Sequence, residues 1–394
     1  MNWKAPIANW QSMEAAPEAG LTCYDSVDAA KALALPWPDL YYSPAWGAVE
    51  LAAGASAWEL ALWRRRDDAS DGAGPAFVAY AYAKRPVLRR GRRVGWDLRS
   101  PYGYSGPWSS PRATESDWAA FRAAFVALAR ERGYVSEFVR FSPLFPHFAA
   151  AYGAAAAALA TRSVATIAAD LRGGADGYWR RAAKQHRNKV RKARKRGVAV
   201  AMSVVETAAD VASFRDLYEE TMDRRRASRV YYFDEAYYAA LVAELPRGDC
   251  YYATATAPDG SLVSAAIFLR HGAALHYHLS GSRAAGYALA GPSAILDAAA
   301  RLGAALGCAT LHLGGGLRPG DALAAFKRAV GDVVLDWTLG TSVLDPGAFD
   351  ALMAIRAAAV HTDVADLAAR AGAFFPAYRA GLDGDDLAPP TGVS

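Results

Sequence analysis

Cysteine is scarce in this 394-residue chain. Cys23, Cys250 and Cys308 stand far apart, form no C-x-x-C pair and supply no disulfide framework, which fits a reducing cytoplasm. Histidine is scarce too: seven are scattered without H-E-x-x-H or related spacing, which argues against a zinc enzyme and gives no metal site. There is no P-loop, no nucleophile elbow and no Ser-His-Asp order. The first residues lack a basic stub followed by an apolar stretch, so no signal peptide is expected. The longest weakly polar run, Phe148 to Ala169, is mostly alanine and is broken by Arg162, so no transmembrane helix is expected. A net charge of only +5 excludes a histone-like polycation but leaves room for a local basic patch. The 53% hydrophobic content excludes a disordered chain, and the length sets two domains as the expectation.

The first ~160 residues mix strand and helix patterns. WELALWRRR and GPAFVAYAYAKRP have strand character and flank the polar loop DDASDGAG. The basic KRPVLRRGRR is a turn leading into VGWDLRSPYGYSGPW, a loop rich in Gly, Pro and aromatics. TESDWAAFRAAFVALARERG predicts a helix capped by Thr114 or Ser116 and closed by Gly133, and YVSEFVRFSPLF a strand. A second unit opens near residue 161 with the strand TRSVATIAADL and the helix GYWRRAAKQHRNKVRKARKRG, stopped by Gly197. The strand VAVAMSVV, the helices TAADVASFRDLYEETMDRRR and DEAYYAALVAEL, and three successive strands, CYYATATA, SLVSAAIFLRHG and ALHYHLSGS, come next. The helix GPSAILDAAARLGAALG, the buried strand ATLHLGGG, the helix ALAAFKRAVG and the strand VVLDWTLGTSVL complete it. Two further helices and a polar tail, DGDDLAPPTGVS, follow from about 346. The expected class is α+β, with mixed sheets flanked by helices, domains at 1–160 and 161–345, and the segment 346–394 packing on the first.

The most informative segment is Arg180 to Arg196. It holds ten cations and no acid: Arg180, Arg181, Lys184, Arg187, Lys189, Arg191, Lys192, Arg194, Lys195 and Arg196. The remainder of the chain is therefore net acidic. Like charges at i,i+3 and i,i+4 repel, and a polyanion laid alongside relieves them and releases counterions. The pattern points to a phosphate backbone, most naturally RNA; a solvated helix face with acidic neighbours is the other reading. In HYHLSGS, strand alternation sends Tyr277 to one face and His276 and His278 to the other. In HLGGGLRPGDALAAFK, Gly314, Gly315 and Gly316 permit close approach of a ligand. Asp321 there stands at a helix N-cap, and Phe326 and Lys327 fall on the helix itself, where a lysine can hold a phosphate or a developing oxyanion. Arg283 to Ala288 fits R-x-x-G-x-A, the loop with which acetyltransferases cradle a pyrophosphate. With no covalent nucleophile evident, direct transfer within a ternary complex is expected.

Taken in order, SPYGYSGP, EFVRFSPL, QHRNKVRKARKRGV, FRDLYEETMDRRRAS with YYF behind it, ALHYHLSGS, LHLGGG with DALAAFK, and FFPAYR resemble the FemABX family of aminoacyl-tRNA-dependent transferases, over about residues 95–380. The resemblance implies two tandem acetyltransferase-like (GNAT) domains with a central cleft, and transfer of an amino acid from charged tRNA to the amine of a peptidoglycan precursor or a peptide-like natural product, without ATP or a cofactor. It implies Lys327 for charge stabilisation and Tyr277 in the reaction channel. It implies substrate contacts from Phe326, Tyr102, Tyr104, Arg224, Arg225, Arg226, Gly315, Gly316 and Asp321. The tRNA contacts fall to Lys184, Arg187, Lys189, Arg191, Lys192, Arg194 and Lys195. The helical-hairpin arm of some members has no counterpart, which turns attention to the basic segment. Asp97 and Asp321 are candidate general bases. An acyl-CoA-dependent N-acyltransferase using Arg283 to Ala288, and a non-catalytic RNA-binding module, are the alternatives.

Overall fold

FVAYAYA is apolar at every position and forms a strand buried on both faces, around which the first of two units is built. The structure is a computed structural model that describes residues 20–66, 74–316, 320–382 and 384–387. The N-terminal stub, nearly all of the DDASDGAG loop, residues 317–319 of the glycine-rich segment and most of the polar tail lie outside the described residues. Unit 1 comprises residues 1–163 and 337–394, and unit 2 residues 164–336. No helix among the described residues is long and apolar enough to cross a membrane.

Unit 1 opens with β1 (Gly20–Tyr24), α1 (Val27–Lys31), α2 (Pro44–Ala52), β2 (Ala57–Arg64), β3 (Phe77–Arg89) and β4 (Arg92–Arg99). After these come β5 (Trp108–Ser109), α3 (Glu115–Glu131), β6 (Tyr134–Arg140) and α4 (Pro146–Ala155). The sheet runs β1-β2-β3-β4-β6, and only β4 and β6 pair in parallel. Thr114 caps α3 through a capping box with Asp117. Phe121 and Phe125 of α3 bury against Tyr80 and Tyr82.

One expectation is corrected here: the stretch 94–108 is not loop throughout. β3 continues through Pro86 to Arg89, and the turn is confined to Arg90 and Gly91, whose φ values of 51° and 75° are left-handed. β4 then occupies residues read as loop. Gly95 allows it to lie close to β6, since a Cβ there would come within 2.9 Å of Val135.

Unit 2 begins within β7 (Ala160–Asp170) and continues through α5 (Gly174–Arg181), α6 (Lys184–Lys195), β8 (Ala199–Val204), α7 (Ala212–Arg225) and α8 (Glu235–Glu244). Next are β9 (Cys250–Thr256), β10 (Leu262–His271), β11 (Ala274–Ser282), α9 (Ala284–Leu289), α10 (Gly291–Ala305), β12 (Thr310–Gly315) and α11 (Ala322–Val330). Its strand order is β7-β12-β11-β10-β9-β8. Ile295, Leu296 and Ala299 of α10 and Tyr178 of α5 cover one face of this sheet, over Ala253, Phe268, Leu275 and Leu311. Phe214 of α7 meets Tyr252 from the other face.

The chain returns to unit 1 along β13 (Val333–Val343), where Leu339 to Val343 pair antiparallel with β6, and ends in α12 (Pro346–Ala359) and α13 (Val364–Ala371). Leu352, Met353, Leu367 and Tyr378 of this segment pack on Val87 and Val135. A buried ion pair ties it down. Arg379 Nε donates to Asp97 at 2.5 Å, Ser136 donates to the same carboxylate at 2.6 Å, and Tyr378 adds a third bond. Removing one partner of a buried pair strands the other's charge. Arg379→Ala is expected to lower the unfolding free energy in urea by about 3–5 kcal/mol, and an unchanged midpoint would contradict that role.

Candidate functional site

β11 and β12 run side by side for only three residue pairs, 274–276 with 310–312, and then part. β12 instead follows β7, with a register shift between His312 and Gly314, and Gly314 takes φ +72° there. At the free end of β12, the Gly315 carbonyl accepts a hydrogen bond of 2.6 Å from Lys327 Nζ. Lys327 is 8% exposed. Asp321 caps its helix by accepting from Ala324 N–H at 2.7 Å, and Gly316 lies so close that any Cβ would strike the Asp321 carboxylate. Three glycines, an aspartate and a lysine separated along the chain are thus one packed group. Burial pushes the Lys327 ammonium down to about 8, with Asp321 opposing the shift. His312 stands in the same neighbourhood. Its Nε2 lies 3.2 Å from Thr166 Oγ1 and its ring is edge-on to His276 at 5.6 Å. Burial, then His276 and Lys327, hold His312 well below the usual imidazole range. Sequence reading missed this pair, because "LHL" drew attention only for the glycines that follow it.

The expectation of a single basic helix is corrected: the ten cations are spread over α5, α6 and their flanks. Ala182 and Ala183 are extended, with ψ of 140° and 148°. The Ala183 N–H is drawn off to the Ala329 carbonyl of α11. Arg187 folds back to donate to the carbonyls of Trp179, Arg180 and Ala182, at 3.4, 3.1 and 2.5 Å, and so satisfies the C-terminus that the break exposes. Arg181 pairs with Asp332 at 2.6 Å and Arg194 with Asp297 at 2.9 Å. Lys184, Lys189, Arg191, Lys192 and Lys195 are exposed and have no carboxylate partner among the described residues. His186, Val190 and Ala193 form the inward face of α6. Lys189 Nζ sits 5.8 Å from the centre of the Phe326 ring, so α6 is fastened to α11 beside Lys327.

Tyr277 is half-buried, packs its ring on Phe268 at 5.4 Å, and is pushed up to about 12 by burial. It borders the same apolar cluster as Phe326. Arg224 donates to the Ser282 carbonyl at 2.6 Å and Arg225 to the Tyr287 hydroxyl at 3.1 Å. Arg226 is exposed in a left-handed C-cap. The R-x-x-G-x-A loop has other work. Arg283 is bonded to Glu220 at 2.9 Å and to the Leu262 carbonyl at 2.8 Å, and Gly286 is pressed against Val263 and Ser264.

Tyr102 and Tyr104 belong to unit 1, where both are half-buried. Tyr102 N–H donates to Glu50 at 2.5 Å, and the Tyr104 ring stands edge-on to Tyr41 and Trp337. Asp97 is buried and accepts three hydrogen bonds, and Asp321 Oδ1 accepts the bond that caps α11.

Residues 180–328 match the family model described as Acetyltransferase (GNAT) domain. The crystal structure of FemX superposes with a TM-score of 0.59 at 14% identity, covering 79% of this chain and 94% of FemX. The chain has the FemX-like tandem GNAT fold. An acyltransferase-type domain therefore occupies unit 2. The structure of L-PGS from Bacillus licheniformis aligns at a TM-score of 0.46 and 14% identity, over 70% of this chain and 83% of that one. A tandem GNAT protein from the clavulanic acid biosynthesis pathway aligns at 0.43 and 13%, over 76% and 88%. No curated protein matches the sequence. Within the FemX-like fold, the Lys327 group lies where β11 and β12 diverge.

The depressed lysine has a signature in stability. Between pH ~8 and ~10.5 the unfolded chain still carries a proton on Lys327 that the folded chain has lost, so folding gains as pH rises through that window. Wild type is expected to gain thermal stability relative to Lys327→Met across that range. Parallel curves for the two proteins would contradict a buried ammonium.

Proposed function

We propose that the chain is an aminoacyltransferase that moves an amino acid from aminoacyl-tRNA to the amine of a peptidoglycan precursor or a peptide-like natural product. The observation that carries this reading is the junction of α6 and α11. Five exposed cations without carboxylate partners among the described residues lie on a helix that touches Phe326, next to the buried Lys327. Such a row favours a phosphate backbone by releasing its counterions.

In the reaction, the acceptor nitrogen adds to the ester carbonyl, the C–O bond to the tRNA ribose breaks, and the amine proton ends on the departing oxygen. The donor ester is already activated, so ATP has no part. An ammonium has three N–H donors, of which Gly315 takes one. The others serve the tetrahedral oxyanion. The proton passes through the substrates' own groups. One of Arg224, Arg225 and Arg226 serves a phosphate or carboxylate of the acceptor, and Tyr277 lines the reaction channel.

An acyl-CoA-dependent reading has the GNAT description and the R-x-x-G-x-A pattern in its favour, but Arg283 is bound within the protein. A purely RNA-binding module would give the buried Lys327 nothing to do.

The test is incubation with charged tRNAs, labelled one amino acid at a time, against candidate amines. RNase-sensitive amide formation is expected. The combined Lys184→Glu, Lys192→Glu and Lys195→Glu variant is expected to bind tRNA at least ten-fold more weakly, with a salt slope lower by about 2. Product formed from acetyl-CoA and resistant to RNase would overturn the assignment.

A further inference from the structure

Trp179, in the last turn of α5, is half-buried and ringed by arginines. The guanidinium carbons of Arg191 and Arg194 on α6 stand 5.7 and 6.0 Å from its ring centre, and that of Arg301 on α10 stands 5.5 Å away. One carboxylate holds two of them: a single Asp297 oxygen accepts from Arg194 at 2.9 Å and from Arg301 at 3.0 Å. The Asp297 side chain is only 4% exposed, whereas those of Arg194 and Arg301 are 59% and 38% exposed. Arg191 is exposed and braced by Asn188 Oδ1 at 3.1 Å.

Three guanidiniums against one carboxylate leave an excess of two positive charges around a single indole. The ring face and Asp297 offset part of the mutual repulsion and fix the geometry. They do not use up the donors. Each guanidinium carries five N–H groups, and most of those on Arg191, Arg194 and Arg301 remain to be satisfied from solvent or a ligand. A planar fork held in advance binds an anion with less ordering cost than a free lysine does. Arg301 lies more than a hundred residues beyond the basic run, so it is not part of the charge count that marks α6 in the sequence.

We propose that Trp179, Arg191, Arg194 and Arg301 form a preorganised phosphate clamp for the RNA backbone, with Asp297 as its positioning residue. This rests on the tRNA-dependent reading and names one preorganised contact point on the cationic surface. Asp297 does not touch the phosphate; it aims two of the arginines. That gives the inference a sign of its own. If the surface acted through net charge alone, deleting a negative charge would tighten binding of a polyanion. If the clamp depends on orientation, the same deletion loosens it.

The experiment is binding of uncharged total tRNA to the full chain by fluorescence anisotropy at several salt concentrations, using wild type, Asp297→Asn and Arg301→Gln. Arg301→Gln is expected to weaken binding five- to twenty-fold and to lower the salt slope by about 0.7–0.9, the value of one phosphate contact. Asp297→Asn is expected to weaken binding several-fold. Thermal melting confirms that each variant is folded, and the partly exposed Arg301 carries the test if Asp297→Asn melts early. Unchanged affinity and slope for Arg301→Gln, or tighter binding by folded Asp297→Asn, would overturn the clamp. Coenzyme A binding that fell in parallel would move the clamp from RNA to a nucleotide and overturn the assignment to RNA. Absence of aminoacyl transfer, with RNA binding still falling in these variants, would instead remove the enzymatic reading and leave the clamp standing.

Discussion

The hydrogen bond from the Lys327 ammonium to the Gly315 carbonyl depends on burial, and the helix that supplies it packs on β12, α6 and α10. A lysine taken out of water needs a partner or loses its proton. One carbonyl and a nearby Asp321 leave it between those outcomes, at about 8. The glycines at the end of β12 exist to make this approach possible: Gly314 for its left-handed φ, and Gly316 because a side chain would occupy the place of the Asp321 carboxylate. From the same helix, the Ala329 carbonyl breaks the basic segment by capturing the Ala183 N–H, and Phe326 lies against Lys189. Phe326 and Ala329 of α11 thus reach the cationic segment, while Lys327 of the same helix reaches the end of β12.

Buried and exposed charges divide by role. In unit 1, Arg122 meets Glu137 at 2.5 Å and Ser342 at 2.9 Å, and Arg379 meets Asp97 and Asp385. These groups are satisfied within the protein and hold strands and the C-terminal segment together. On α6 most cations face water without a carboxylate among the described residues, a costly arrangement for a free helix and a favourable one beside a polyanion. Asp297 belongs to neither class: it is a buried acid whose arginines remain open on their outer sides.

Local pattern carried the elements that have strong periodicity. The capped helix after Thr114, the strands around PDG and the helix bearing Phe326 and Lys327 all stand where their sequences indicate. The FemX-like fold was legible through ordered short motifs, although identity to FemX is only 14%. What escaped were features decided by partners distant in sequence. The break at Ala182 follows from Ala329, and the pairing of Arg194 follows from Asp297, both far along the chain. β4 was hidden by its Gly and Pro neighbours, and its place is set by Val135 and by Arg379 binding Asp97. Arg301 carried no local motif, and His312 was overshadowed by the glycines that follow it.

The account's central claim is that Lys327 acts on the reaction and not on the docking of the RNA. Single-turnover transfer from saturating aminoacyl-tRNA, measured alongside tRNA affinity, separates the two. The account predicts that Lys327→Met binds tRNA as wild type does while the transfer rate falls by about 10²–10³. Transfer at the wild-type rate would contradict it.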